Sequence, residues 1–372
     1  MLSFWERQSF LNYDHIIIGG GIVGLSTAIS IREISPKSTI AILERDTFPS
    51  GASTKNAGFA CFGSLTEILN DMTLMSHEEV SDLVEFRWKG LELLRKRLGD
   101  KEIGFKNYGG YELLFEDDLD SLQSMEEVNA LLKPLFNQNI YEERKDLVSQ
   151  FGFNASKVKS LIYNPLESQI DTGKMMKNLE SLAQKLKIKI FTNCEVHSFN
   201  DGPEGVDVLI KGDITFKAKK LAICSNAFTR KLLPETDLVP GRGVVMVTKP
   251  IENLPFKGTF HYQEGYYYFR NYKDRVIFGG GRNLDLKGEE STDFEIKELI
   301  LEKLKHDLGD IILPNTNFEV DYAWAGIMAF GKTKQPIVKR HSQNIVLGVR
   351  LGGMGVAIGS KVGERLAAMV FE

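Results

Sequence analysis

Three glycines and an acid are the first residues in this 372-residue chain whose types and spacing could do chemistry. Gly19, Gly21 and Gly24 stand in the run HIIIGGGIVGL, and Glu44 closes the next apolar stretch, TIAILE. Between a strand and a helix the three glycines serve, in turn, tight turning, close backbone approach to a pyrophosphate, and close packing of helix on strand. The helix start adds unpaired N–H groups and part of a positive charge. An acid where Glu44 stands would bond the ribose hydroxyls. The combination predicts dinucleotide binding rather than an ordinary glycine turn, with FAD and NAD both open.

Other stretches could meet a ligand. SGASTKNAGFACFGS, from Ser50 to Ser64, is a run of small residues of the kind that lets backbone pass close to a cofactor. Leu351-Gly352-Gly353-Met354-Gly355 is a second glycine turn opening a helix. In the aromatic run from Tyr266 to Arg270, strand alternation puts Tyr266, Tyr268 and Arg270 on one face and Tyr267 and Phe269 on the other. Two readings are open there: an aromatic box for an amine, with Arg270 or a lysine orienting an acidic group, or plain aromatic packing with Arg270 at the rim. Lys55 and Lys332 are further candidate cations. His261, in the same sheet, reads as a lone core or surface histidine.

The elements that must position these residues begin with a βαβ unit: a strand from His15 to Ile18, a helix from Ile22 to about Glu33, and a strand ending at Glu44. Ser76, with Glu79 completing a capping box, opens a long helix that Gly99 stops. A strand from Tyr111 to Phe115 and a helix from about Asp118 to Phe136 then look like a different unit, antiparallel strands with helices laid on them. Asp171 or Thr172 caps a helix through Leu186. A hairpin turning at Lys211-Gly212-Asp213 and a buried strand from Lys220 to Cys224 follow. Aromatic strands lie between Val244 and Phe278, then a helix from Phe294 to His306. Strands near Glu319 to Trp324 and Ile345 to Val349 precede the last glycine turn. The chain thus weaves between two domains, 1–75, 150–235 and 318–372 against 76–149 and 236–317. Phe4, Trp5 and Phe10 are expected to dock.

A net charge of −4 with scattered lysines and arginines argues against a nucleic-acid partner. Cys61, Cys194 and Cys224 lie far apart with no CxxC, as suits a reducing compartment and structural cysteines. No histidine sits at metal-ligand spacing with an acid or cysteine, and no apolar run spans a membrane. The expectation is a soluble, cytoplasmic, metal-free protein.

Four segments, in order, resemble the D-amino-acid oxidase superfamily of FAD-dependent amine and amino-acid oxidoreductases, which includes glycine oxidase and sarcosine oxidase. They are GGGIVG with Glu44, GASTKNAGF, KKLAICSNAFTRKLLP and LGGMGVAIGSKVGERLA. The resemblance implies an α/β fold, with a Rossmann-like FAD-binding domain and a discontinuous second domain on a mainly antiparallel sheet. It turns the dinucleotide into FAD. It sets Ile22 and Val23 against the pyrophosphate, Glu44 and Arg45 around the adenosine ribose, and Ala52 and Ser53 at further pyrophosphate contacts. Ala57, Gly58 and Phe59 would run beside the flavin, Val196 would hold the adenine, and Leu351 to Val356, with Gly352, Gly353, Met354 and Gly355, would lie beneath the isoalloxazine ring. A helix N-terminus there would stabilise the negative charge of a reduced flavin.

The stretch WAGIMAFGKTKQPIV resembles the family's WxGxRPxTxDxxPxIG with two departures, at Met328 and at Thr333-Lys334-Gln335, which replaces T-x-D. It also lacks the cysteine by which sarcosine oxidase-type relatives attach the flavin, so FAD is expected to be non-covalent. Met328 stands where amino-acid-oxidising members commonly carry an arginine for the substrate carboxylate, and methionine cannot form that bidentate pair. Either another cation takes over, or the substrate lacks a carboxylate there, as in the branch resembling γ-glutamylputrescine oxidoreductase. The implied reaction is oxidation of a C–N bond by hydride transfer to flavin N5, which needs positioning more than acid–base machinery. The acceptor is oxygen or another oxidant, and an oligomer is compatible. Competing readings are oxidation of a 2-hydroxy acid or other C–OH substrate, and a flavoprotein that is non-catalytic or acts only within a complex.

Overall fold

The computed structural model describes residues 1–372. Two eight-stranded sheets organise it. The first is built on Asn12–Ile18, whose four innermost residues are buried on both faces, as parallel central strands require. Ile40–Leu43 and then Lys189–Phe191 lie on one side of it, and Ile214–Ile223, Ile345–Val349 and Ile337–Arg340 on the other. All these neighbours are parallel except the Ile337–Arg340 edge. The helices Ile22–Ile34 and Gly355–Phe371 pack on each other and on this sheet, sharing one apolar core.

The second sheet runs Val320–Phe330, Val239–Thr248, Arg275–Gly280, Tyr267–Tyr272, Thr259–Tyr262, Gly110–Leu114, Ser160–Asn164 and Glu142–Glu143. Every pairing in it is antiparallel except Thr259–Tyr262 with Gly110–Leu114. One face is an aromatic core in which Phe260 and Phe269 stack at 4.7 Å and Tyr262 and Tyr267 at 4.7 Å. The other face turns toward the first sheet.

Several expectations need correction. Ser160–Asn164 and Val320–Phe330 pair in the second sheet, so the chain returns to the first only after residue 164 and again after residue 330, later than the boundaries at 150 and 318. Ladder partners decide this: Val320–Phe330 is held along its whole length by Val239–Thr248. Lys220 to Ile223 is the end of one continuous strand, Ile214–Ile223, whose start pairs in the hairpin and whose end pairs in the parallel sheet, and Cys224 follows it. Phe4, Trp5 and Phe10 do not dock. They lie on or beside a short helix, Phe4–Ser9, which is held by a Ser3–Glu6 capping box and buries nothing. The helix expected from Phe294 starts at Glu298. The long helix His77–Leu98 does have the Ser76–Glu79 capping box and ends at Gly99, where φ is +85°. No helix is long and apolar enough to cross a membrane.

Candidate active site

One cavity of about 840 Å³ lies between the two sheets, and most of the residues singled out by sequence meet there. Gly19, Gly21, Ile22, Val23, Glu44, Arg45, Ala52, Ser53, Ala57, Phe59, Val196 and the whole of Leu351 to Val356 line it. Gly24 and Gly58 do not. A Cβ on Gly24 would overlap the Gly19 carbonyl oxygen, so that glycine serves helix–strand contact. Gly58, at φ +79°, is pressed between the Ile170 carbonyl and the Arg270 guanidinium.

The cradle's physics follows from its hydrogen bonds. Leu25 is the first residue of its helix to bond back into the turn, donating to the Gly21 carbonyl at 2.9 Å. Ile22 N–H donates instead to Ser53 Oγ at 3.0 Å, and Val23 and Gly24 have no backbone partner. A Cβ on Gly21 would stand 2.7 Å from Ser53 Oγ, so a side chain there would displace the hydroxyl that accepts from Ile22 N–H. Glu44 is buried and accepts from Gly20 N–H at 2.8 Å and Asp46 N–H at 3.3 Å. Burial raises its pKa, against the pull of those two N–H groups and Arg45. A second helix start faces the cavity at Gly355, after a turn in which Gly352 and Gly353 have φ +56° and +83°. Ile358 is the first residue there to bond back, to Met354 at 3.0 Å, so the N–H groups of Gly355, Val356 and Ala357 are available to an anion or a developing negative charge.

Beyond that turn the cavity opens onto the second sheet. Tyr266, Tyr268, Met328 and Lys55 line it, as do Lys332 and Phe330. The floor is cleared by glycines on neighbouring strands. The Tyr268 ring lies over Gly279, Met328 Cε lies over Gly243, and Phe330 lies over Gly241. Met328 also reaches the other wall, its Sδ 3.7 Å from where a Gly353 Cβ would be. Tyr268 packs edge-on to Phe59 at 5.6 Å, and burial pushes its phenol up to about 12.

Arg270 does not join this compartment, which corrects its expected part in orienting an acidic group. It shares the predicted strand face, but its guanidinium is used by backbone. Nε donates to the Ala57 carbonyl, Nη2 to Ile170 at 3.0 Å and Nη1 to Asn271 at 3.3 Å. It clamps the Ala57–Gly58 loop in place. A cation that reaches the compartment besides Lys55 and Lys332 is Arg282, which sequence reading missed. Its guanidinium stacks over Phe330 at 4.0 Å and stands 5.8 Å from the Tyr266 ring. The available signal was an arginine directly after Gly279-Gly280-Gly281, where a strand ends on a left-handed turn.

Nor is His261 alone. It is the register partner of Tyr268, and its Nε2 lies 3.2 Å from Glu167 Oε2. Burial pushes the imidazole down, but Glu167, Glu67 and Glu112 more than offset this, and its pKa is raised. Cys61, Glu167 and His261 bring ligand-capable atoms within 4.8 Å of one another, an association that spacing along the chain could not reveal. Lys334 stands between Asp71 at 3.2 Å and Glu67 at 3.6 Å, with Arg87 on the far side of Asp71 at 3.7 Å. Cys61, Glu67, His261 and Lys334 all line the cavity. Cys194 and Cys224 line it too, and all three cysteines are free thiols.

A cavity anchored at one end in a nucleotide cradle and opening at the other onto an aromatic compartment is the plan of a flavin-dependent oxidoreductase. The cradle glycines, the buried acid and the two free helix starts suit FAD's diphosphate, ribose and flavin in turn. The chain belongs to the DAO family of FAD dependent oxidoreductases, whose family model matches residues 14–369. It is similar to L-2-hydroxyglutarate dehydrogenase of Escherichia coli (strain K12), 23% identical over 62% of this chain and 51% of that one. The chain therefore spans about half the length of that relative. It is also similar to D-amino acid dehydrogenase of Helicobacter pylori (strain ATCC 700392 / 26695), 24% identical over 95% of this chain and 93% of that one. Among solved structures, L-proline dehydrogenase from P. horikoshii shares the fold with a TM-score of 0.76 at 18% identity, covering 97% of this chain and 93% of that one.

Proposed function

We propose that the protein oxidises the C–N bond of a small amine or amino acid, with FAD held non-covalently along the cavity. The ADP half lies on the Gly19–Gly24 turn, Glu44, Ser53 and Val196, and the flavin lies between the Ala57–Phe59 loop and the Leu351–Val356 turn. Bound FAD supplies the two-electron acceptor. The chain's own contribution is to bind the substrate, orient its C–H and exclude water, in keeping with a reaction that depends chiefly on near-attack positioning.

The observation that carries this reading is the make-up of the compartment beside the flavin turn. Its walls are Phe59, Tyr266, Tyr268 and Phe330, with Glu264 and the cations Lys55, Lys332 and Arg282 opening into the same cavity. Aromatic faces suit the amine-bearing carbon of a substrate. Anaerobic mixing of the holoenzyme with matched amines, amino acids and 2-hydroxy acids, following flavin bleaching, tests it. Bleaching by amines or amino acids is expected. Bleaching by hydroxy acids alone overturns the proposal, and bleaching by none points to a non-catalytic or complex-dependent flavoprotein.

One observation favours the hydroxy-acid reading. A hydroxyl keeps its proton at neutral pH and needs an acceptor, whereas a neutral amine does not. The buried His261–Glu167 pair could serve as one, and a similar protein is an L-2-hydroxyglutarate dehydrogenase. If that reading holds, His261→Gln removes hydroxy-acid turnover while the flavin spectrum is unchanged.

A further inference from the structure

Arg282 is a half-buried guanidinium with no carboxylate of its own. Its side chain enters no hydrogen bond or ion pair within the protein, and burial lowers its pKa. Of the other cations around the cavity, Lys55 is also unpaired, and its ammonium extends over the Phe294 ring at 5.6 Å rather than over Phe330. Lys334 is shared by Asp71 and Glu67, and Arg45 pairs with Asp46 and stacks on Phe228. Lys332 is exposed. Two acids act on Arg282 through space: Glu289 is already taken by Arg242 through bonds of 2.7 and 2.9 Å, and Glu290 is exposed at the cavity and forms no ion pair with Arg282. A guanidinium that is partly desolvated and left unpaired is costly unless an anion arrives to complete it.

Its position says which anion. The Arg282 side chain packs on Phe330 and passes within 3.6 Å of the Gly241 Cβ position, and Gly241 is the register partner of Met328. Met328 and Phe330 are alternate residues on one strand, so they share a face and stand roughly 7 Å apart. The positive charge absent at Met328 is therefore present about one strand repeat away, over the same glycine floor and facing the same aromatic wall. We infer that Arg282 binds the carboxylate of the substrate, making the protein selective for amino acids over amines that lack a carboxylate. This rests on the amine or amino-acid reading above and narrows it.

The test uses holoenzyme and two readouts. Benzoate, a carboxylate with no oxidisable C–N bond, is titrated while the flavin absorbance is followed. Matched substrates, L-proline against pyrrolidine and phenylglycine against benzylamine, then report flavin reduction. Arg282→Met is expected to weaken benzoate on the order of 10- to 100-fold, the loss of one charge-assisted pair. It should weaken the amino acids similarly and leave the matched amines unchanged. Arg282→Lys should recover part of the affinity, and adding Met328→Arg to Arg282→Met should recover more, which separates charge placement from misfolding. Unchanged benzoate affinity in Arg282→Met overturns the inference. Failure of every amine and amino acid to bleach the flavin overturns the wider reading instead, with benzoate still reporting on Arg282.

Discussion

Glu44 is a carboxylate placed where burial works against its charge, and the two N–H groups it accepts do not fully offset that burial. A residue kept at such a cost is expected to serve the ligand rather than the fold. Glu44→Gln retains an acceptor for Gly20 N–H but loses the anionic acceptor for ribose hydroxyls. The apoprotein's thermal midpoint should stay level or rise, while its FAD Kd, read by fluorescence quenching, should rise on the order of tenfold or more. A lower midpoint with unchanged FAD affinity would mean the residue is merely structural. The three cysteines make a complementary case. All line the cavity, yet burial raises every thiol pKa, to about 12 for Cys224, which leaves the groups protonated and poorly nucleophilic. Acid precipitation should therefore release all the yellow flavin into the supernatant. Flavin retained in the pellet would show a covalent bond and overturn the non-covalent assignment.

At the scale of elements, the Ile22–Ile34 helix can approach the Asn12–Ile18 strand only because Gly24 has no side chain. Gly24→Ala sets a Cβ against the Gly19 carbonyl, and backbone on both sides must move. Overpacking of this kind costs roughly 1–3 kcal/mol, occasionally more. The expected outcome is a lower thermal midpoint together with loss of bound FAD, since the shifted turn is the proposed pyrophosphate cradle. A variant with full FAD occupancy and native stability would remove Gly24 from that part. This opening unit was legible in the sequence because its evidence is local: apolar strand, glycine turn, helix and acid lie within one βαβ stretch. The capped helix His77–Leu98 was legible for the same reason. What was not legible rests on long-range pairing. Strand alternation placed Arg270 on the right face, but its use is decided by carbonyls 213 and 100 residues away in sequence. His261 and Glu167 stand 94 residues apart, and neither drew notice as a pair until the Ser160–Asn164 strand and its neighbours brought them together. Arg282 sat in a turn whose composition predicted only a turn, and its meaning comes from Phe330 and Gly241 on two other strands.

For the whole molecule, the chain's repeated passage between the two sheets raises the question of whether they unfold together, and buried titratable groups give a way to ask. His15, in the first sheet, is held down to about 4 by burial, below its usual 6.5. Because the unfolded chain takes up a proton near 6.5 that the folded one refuses, His15 costs stability as pH falls from about 6.5 toward 4. Glu112, in the second sheet, is pushed by burial to about 7, above its usual 4.5, against bonds from Ser64 and Thr66. Its sign is opposite: it favours the folded state below 4.5, and that advantage is lost as pH rises through 7. The two slopes oppose each other over nearly the same window, so each is read as the difference between the wild type and the variant that removes it. His15→Phe should gain on the wild type as pH falls toward 4.5, and Glu112→Gln should gain as pH rises past 7, each by a few degrees in thermal midpoint. A chain that crosses between the sheets several times, with FAD proposed to lie across both, should show both effects in one transition. Calorimetry of the holoenzyme at several pH values checks this. Two separate transitions, each answering to only one of the substitutions, would show that the sheets are independent folding units joined only at the cavity.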